Sequence, residues 1–260
     1  MRRQSEALRG DPEEQFMRSL EASAAASRGQ FKVARERTRE GVDLALKRRL
    51  NQSASRMVGI LATDEAHVGN FDPARQDVAE ALKLNRGPEA LVLAAQVLAV
   101  SGDAARASAL AAEAVGQVPP THTTFHAIGL PMAQAAIHLA QRAPDQALQA
   151  MKPLAAYERS SAANPALYLR GLAHLAAGHG AEAASDFQKI IDRPGAGPPN
   201  AIPIANALAR LGLARAAAET GDIAKSRRAY QDFLALWKDA DPDVPILLQA
   251  KAEYAKLAGS

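Results

Sequence analysis

The sequence predicts an all-α fold: an α-solenoid wound as a right-handed superhelix, with about six helix pairs and a C-terminal capping helix. Three observations carry this reading. The chain of 260 residues is 48% hydrophobic but only 4% aromatic, with alanine supplying much of the apolar content, which suits closely spaced helices better than β-layers. A triplet of a small residue, a glycine and another small residue recurs at fixed spacing along the chain. Proline- and glycine-rich stops separate the resulting units.

The triplet has a physical logic. Two antiparallel helices can approach closely only if each presents a small side chain near the crossing. The tight turn between them favours glycine, which tolerates positive φ. The copies read Ala22, Gly29, Ala34; then Ala62, Gly69, Ala74; then Ala95, Gly102, Ala107; then Ala135, Arg142, Ala147; then Gly171, Gly178, Ala183, followed by Phe187; and finally Ala214, Gly221, Ser226. Each has the same seven-plus-five spacing, and only the fourth lacks the turn glycine. The last small residues fall at 34, 74, 107, 147, 183 and 226, so the period runs from 33 to 43 residues, near that of two-helix repeats.

In chain order, residues 1–11 read as a flexible N-terminus. The helical repeats follow at roughly 12–51, 52–86, 88–119, 122–160, 164–194 and 201–240. Their boundaries fall at Arg86-Gly87-Pro88, Pro119-Pro120, Asn164-Pro165 and the run Pro194 to Pro199. Helical periodicity supports the frame. The first helix of the third copy carries Leu91, Leu93, Ala94, Val97 and Leu98; the second helix of the sixth carries Ile223, Tyr230, Phe233, Leu234 and Trp237. After Asp241-Pro242, residues 244–258 form one more amphipathic helix, with Ile246, Leu247, Ala250, Tyr254 and Leu257 inward. Such a helix caps a solenoid.

The steps of seven, five and four in Gly171, Gly178, Ala183 and Phe187 match the helix pair of tetratricopeptide-type (TPR) repeats. The tail from Gly221-Asp222-Ile223 through Tyr230-Gln231-Asp232-Phe233-Leu234 to Trp237-Lys238-Asp239-Ala240-Asp241-Pro242-Asp243 resembles the C-terminal end of bacterial multidomain proteins. In those proteins a TPR-like region follows a serine/threonine protein kinase domain or a winged-helix DNA-binding domain. Residues 167–193, with Tyr168-Leu169-Arg170-Gly171 and Phe187-Gln188-Lys189-Ile190, fit the same group. The resemblance implies a fragment or free-standing relative of such a region, and hence a regulatory or self-association module in a signalling kinase. No kinase motif is present: the chain has no glycine-rich phosphate loop with a strand lysine, no His-Arg-Asp loop and no Asp-Phe-Gly.

Composition and motifs narrow the chemistry. There are no cysteines, which excludes disulfides, zinc-thiolate sites and thiol nucleophiles. The net charge is +3, from 31 basic and 28 acidic side chains, and aromatic residues are nearly absent from the basic run of Arg28, Lys32, Arg35, Arg37, Arg39 and Lys47 to Arg49. That run, interleaved with Glu36, Glu40 and Asp43, reads as a salt-bridged helix, and no nucleic-acid partner is expected. His122 and His126 stand one helical turn apart without a third ligand nearby, so a polar helix start is the better reading than a metal site. His174 reads as packing and His179 as solvated. Asp239, Asp241 and Asp243 alternate like a calcium loop, but Val244 and Ala250 stand where glycine and glutamate are needed, so these acids read as a turn. No catalytic triad or Walker-type loop appears, so no enzymatic activity and no cofactor or metal is expected.

The functional expectation is therefore a non-catalytic scaffold that binds a protein or peptide segment on a concave face lined by the first helix of each pair. Taking the turn as anchor, Leu172, Leu175, Arg215 and Glu219 are the candidate groove residues. A homo-oligomer through the N-terminal repeat is a second expectation. The basic start lacks a following apolar stretch, and no run approaches a membrane span, so no membrane insertion is expected. The cytoplasm is the expected compartment, or an extracytoplasmic one if a parent protein carries a transmembrane segment ahead of the repeats.

Overall fold

A computed structural model of the chain describes residues 14–157, 163–193 and 204–258. The described residues are helical, with no strand among them. The N-terminus expected to be flexible (1–11), and the proline-rich stop at 194–199, lie outside them.

The helices pair as the spacing predicts. The first copy is α1 (Glu14–Ala26) and α2 (Phe31–Lys47), the second α3 (Asn51–His67) and α4 (Phe71–Leu84), the third α5 (Pro88–Val100) and α6 (Ala104–Gly116). In the fourth, a π-helical turn (Phe125–Gly129) leads into α7 (Leu130–Ala140), and α8 (Pro144–Ala150) runs on into a 3₁₀ segment (Lys152–Tyr157). The fifth is α9 (Ala163–Ala176) with α10 (Gly180–Asp192), the sixth α11 (Ala205–Glu219) with α12 (Ile223–Leu236), and α13 (Pro245–Ala258) ends the chain.

One turn recurs seven times among the described residues, six times within a copy and once, at Arg49, between the first and second copies. The turn residue lies at positive φ: 74° at Gly29, 89° at Gly69, 88° at Gly102, 76° at Gly178, 79° at Gly221, 59° at Arg142 and 58° at Arg49. Each turn closes with the same two backbone bonds that cap a helix ending in a left-handed residue. In the third copy Gly102 N–H donates to Ala99 O and Asp103 N–H to Leu98 O; in the fourth Arg142 N–H donates to Leu139 O and Ala143 N–H to His138 O. The next residue starts the following helix, and its carbonyl accepts from the small residue four further on, as in Asp103 O with Ala107 N–H. That bond fixes where the following helix starts, and the residue five positions after the turn is small because it is buried against the preceding helix. Ala34, Ala62, Ala74, Ala95, Ala107, Ala135, Ala147, Ala183, Ala214 and Ser226 are all fully buried, and Ala22 is 7% exposed.

The fourth copy departs from the others where proline intervenes. Pro131 has no N–H for the carbonyl four residues back, and just before it the helix widens into the π turn, closed by Leu130 N–H on Phe125 O. Pro153 ends α8, and Leu154 N–H reaches only to Met151 O, a 3₁₀-type bond.

The array closes on itself. The end of the sixth copy docks on the turns of the first two. The Trp237 indole N–H donates to Ser27 O (3.1 Å), and Gln30 Nε2 donates to Asp239 O (3.3 Å). Asp241 N–H donates to Gly29 O, and Asp241 Oδ2 accepts from Lys32 N–H (2.9 Å). The Asp241 carboxylate thus caps the N-terminus of α2 from across the chain, where the helix dipole favours it. Ile246 N–H donates to Val68 O at the turn of the second copy. A Cβ on Gly29 would lie 2.6 Å from Ala240 Cβ and 2.9 Å from Trp237 Cε3, so this glycine both turns the chain and seats the tryptophan. One core cluster accordingly joins Ala25, Phe31, Leu61 and Val68 to Leu167, Phe187, Leu208, Phe233 and Trp237. Between its halves, His67 of α3 stacks on Tyr168 of α9 (centroids 5.5 Å), and Tyr168 on Phe187 (6.0 Å). The terminal helix therefore bridges as well as caps. It lies along α11 and α12 through Glu253, Tyr254 and Leu257, and it starts against the turn of the second copy.

Candidate peptide-binding groove

The closure decides what each expected groove residue does. Arg215 makes a fork of two bonds to Glu253 of α13 (3.0 and 3.2 Å), and Tyr230 Oη donates to the same carboxylate (2.9 Å). Leu172 and Leu175 are partly buried against the large core cluster. Glu219 is exposed, beside the turn of the fifth copy, with a carboxylate oxygen 3.6 Å from where a Gly178 Cβ would sit. The first-helix face of the fifth and sixth copies is thus largely occupied by the chain itself.

An open groove lies instead on the first helices of the second, third and fourth copies. It has a volume of about 360 Å³. Ile60 of α3, Ala90, Val92 and Leu93 of α5, and Phe125, Ile128 and Gly129 of the π turn form its apolar lining. Gln52, Arg56, Asn85, Glu89, Gln96, His122 and Thr124 supply its polar groups.

Local sequence builds this shape. A Cβ on Gly59 would lie 2.7 Å from Leu93 Cδ2, so Gly59 leaves room for the half-buried Leu93 tip to lie over α3 in this rotamer. At Gly129 a Cβ would sit 3.5 Å from Val92 Cγ1, an ordinary contact, so the π turn packs close to α5. Phe125 is buried between two imidazoles, His122 at 6.3 Å and His126 at 5.1 Å, each presenting its ring edge-on. His122 Nδ1 accepts from Phe125 N–H (3.2 Å), and His126 Nε2 hydrogen-bonds Pro119 O (3.1 Å). The two histidines therefore organise the entry to the π turn. Among the described residues, no group of three or more His, Asp or Glu side chains converges as a metal site.

Part of the polar rim is used within the chain, as where Asn85 Oδ1 accepts from Gly87 N–H (3.1 Å) and His122 Nδ1 from Phe125 N–H. Ser55 is buried and donates to Ala81 O (2.8 Å), which ties α3 to α4. Arg56 and Glu89, by contrast, are exposed and make no ion pair among the described residues, whereas nearby Arg86 is held by both oxygens of Glu113 (2.8 and 2.7 Å). A concave, mostly apolar surface with a few free polar groups is the ordinary form of a recognition site.

Sequence reading missed this groove because its lining comes from three copies. Within one copy, Leu93 reads as core and Arg56 as surface. Two signals were available: the two extra glycines, Gly59 and Gly129, and a proline at 131 inside an otherwise helical run.

The remaining ionisable groups are structural. Arg170 grips the buried Asp186 with two bonds (2.8 and 2.7 Å), and His174 stands 3.8 Å from the same carboxylate. Burial holds the His174 imidazole below its ordinary pKa. Glu65 is fully buried and bound by Arg35 Nε (2.6 Å) and Asn70 Nδ2. The basic run on α2 is partly paired, as expected, through Arg35 with Glu65 and Arg37 with Glu40. Burial, reinforced by Glu65 and Glu80 and opposed by Arg35 and Arg39, pushes the Asp77 carboxyl up to about 7. Asp241 takes the part of a helix cap.

No protein-family model matches this chain, and no curated protein is similar to it. No described helix is long and apolar enough to cross a membrane.

Proposed function

We propose that the chain is a non-catalytic helical-repeat scaffold that holds an apolar segment of a partner protein in the groove between α3, α5 and the π turn. The observation that carries this reading is the groove itself. Its floor of Ile60, Leu93, Phe125 and Ile128 is open, while Arg56 and Glu89 on its rim are unpaired among the described residues. An anchor side chain would fill the apolar floor, and the free guanidinium and carboxylate would fix the direction of the bound segment.

The test is a peptide array probed with the wild-type chain and with three variants. Leu93→Glu and Ile128→Arg place a charge on the floor and are expected to weaken captured peptides at least tenfold. Glu219→Ala, on the fifth-to-sixth-copy face, is expected to leave them unchanged. Absence of any peptide above background, or peptides that survive both floor substitutions, would contradict the reading.

A further inference from the structure

Among the described residues, Asp64 is the one buried acid without a hydrogen-bond or ion-pair partner. It is 1% exposed, and its Oδ1 makes no hydrogen bond to the protein. It lines a small, partly open chamber of about 10 Å³ between α1, α2 and α3, together with Ser19, Ser23 and Thr38 and the apolar Ala22, Met57, Ile60 and Leu61. Ser19, Ser23 and Thr38 are 7%, 5% and 5% exposed, so the chamber brings four buried polar groups together. Its size is that needed by a single water molecule, and four polar partners are what such a water requires.

Among the described residues no cation acts on this carboxyl; on α4, Arg75 is held by Asp72 and Ser101 O, and Lys83 stands at the far end of the helix. On α1 and α2, Arg18 pairs with Glu14, Glu21 and Glu40, and Arg37 with Glu40 and Glu21. Arg35 is held by Glu65, and Arg39 acts on Asp77 of α4. On the far side of α3, α5 carries only Glu89, which lines the groove. The one charge acting on Asp64 is the neighbouring Glu65, which disfavours ionisation in the same direction as burial.

We propose that the chamber is a proton-and-water site, in which a neutral Asp64 carboxylic acid and one water molecule bridge the hydroxyls of Ser19, Ser23 and Thr38, and that loss of the proton loosens the joint between the first and second copies. A neutral acid can donate as well as accept, so it completes the network; an ionised one is a buried charge without a counter-ion. Ile60 borders both the chamber and the groove, so α3 carries a change at this joint to one wall of the groove.

The sign follows from linkage. An acid whose pKa is higher in the folded state than in the unfolded chain lowers stability as pH rises from the ordinary carboxylate value to the folded one. Asp77 contributes the same trend, but it ends near pH 7. Burial raises the Glu65 carboxyl as well, so Asp64 is isolated by introducing Asp64→Asn into an Asp77→Asn background. In that background, the full chain is expected to show the infrared carbonyl band of a protonated carboxylic acid at about pH 6, above the ordinary carboxylate range, and Asp64→Asn to weaken it by one carboxyl. The difference in melting temperature between the two proteins is expected to be smallest near pH 4, about the ordinary carboxylate value, and to grow as pH rises, by at least about 3 °C at pH 7, with Asp64→Asn gaining relative stability. A band that Asp64→Asn leaves unchanged, or melting curves that stay parallel across this range, overturns the proposal. If Asp64→Asn does not fold, Asp64→Ser is read in its place by the same difference in the band.

Discussion

Arg142 takes up, at φ 59°, the left-handed conformation that glycine supplies in five other turns and Arg49 in one more. A side chain there costs about 1–2 kcal/mol relative to the right-handed region, yet the two capping bonds of the turn form as they do elsewhere. Two substitutions should therefore mirror each other. Arg142→Gly is expected to stabilise the chain by about 0.5–1 kcal/mol, the relieved strain less the extra freedom of glycine in the unfolded chain. Gly102→Ala is expected to destabilise it by about 1 kcal/mol through φ alone, because no atom lies within 4 Å of where its Cβ would sit. Urea midpoints of the two variants against wild type check both; shifts of the same sign would show that the turns are not equivalent. At this scale the sequence was highly legible. A glycine at fixed spacing announces positive φ, and Arg142 stood at the same position without the glycine's signature.

Helices pack through their small residues, and the fifth and sixth copies show how. The Phe187 ring of α10 is clasped between two glycines. A Cβ on Gly171 of α9 would lie 2.7 Å from the ring, and one on Gly212 of α11 2.6 Å from it. With both faces confined, the ring cannot move aside for an added methyl group. Gly171→Ala is thus expected to cost about 1–3 kcal/mol as an overpacked core, although alanine is the better helix former. Thermal melts measure this; a neutral or stabilising outcome would mean that Phe187 has room the packing does not show. The pairing Gly171–Phe187 was visible as a spacing of sixteen residues within one copy. Gly212 belongs to the next copy, and no periodicity within a single unit could reveal it. The same limit applies to the groove. Gly59, Leu93 and Gly129 come from successive copies, and Pro131 marked a break in α7 without saying which way the helix would widen. The helix pairs could be read from local chemistry, whereas the surfaces between them depend on how successive pairs are stacked.

At the scale of the whole molecule, the closing contact joins the ends of the array. In the sequence, Trp237 belonged to the apolar face of α12, and Asp241 to a polar turn. Both readings were correct locally, and neither pointed to residues about 210 positions earlier. The contact gives the first repeat the neighbour that an open array would lack, covers the turn at Gly29, and caps α2 with Asp241. It also brings α3 against α9 through His67 and Tyr168, while the second-to-fourth-copy groove stays open on the first-helix surface. The chain has a single tryptophan, so one measurement addresses the closure without ambiguity: the nuclear Overhauser contacts of its indole ring. The closed array predicts strong cross-peaks from the ring to the Gly29 α-protons, which should be ring-current shifted, and an indole N–H protected from exchange by Ser27 O. An indole N–H that exchanges freely with solvent and shows no cross-peak to Gly29 would mean that the ends of the array do not meet.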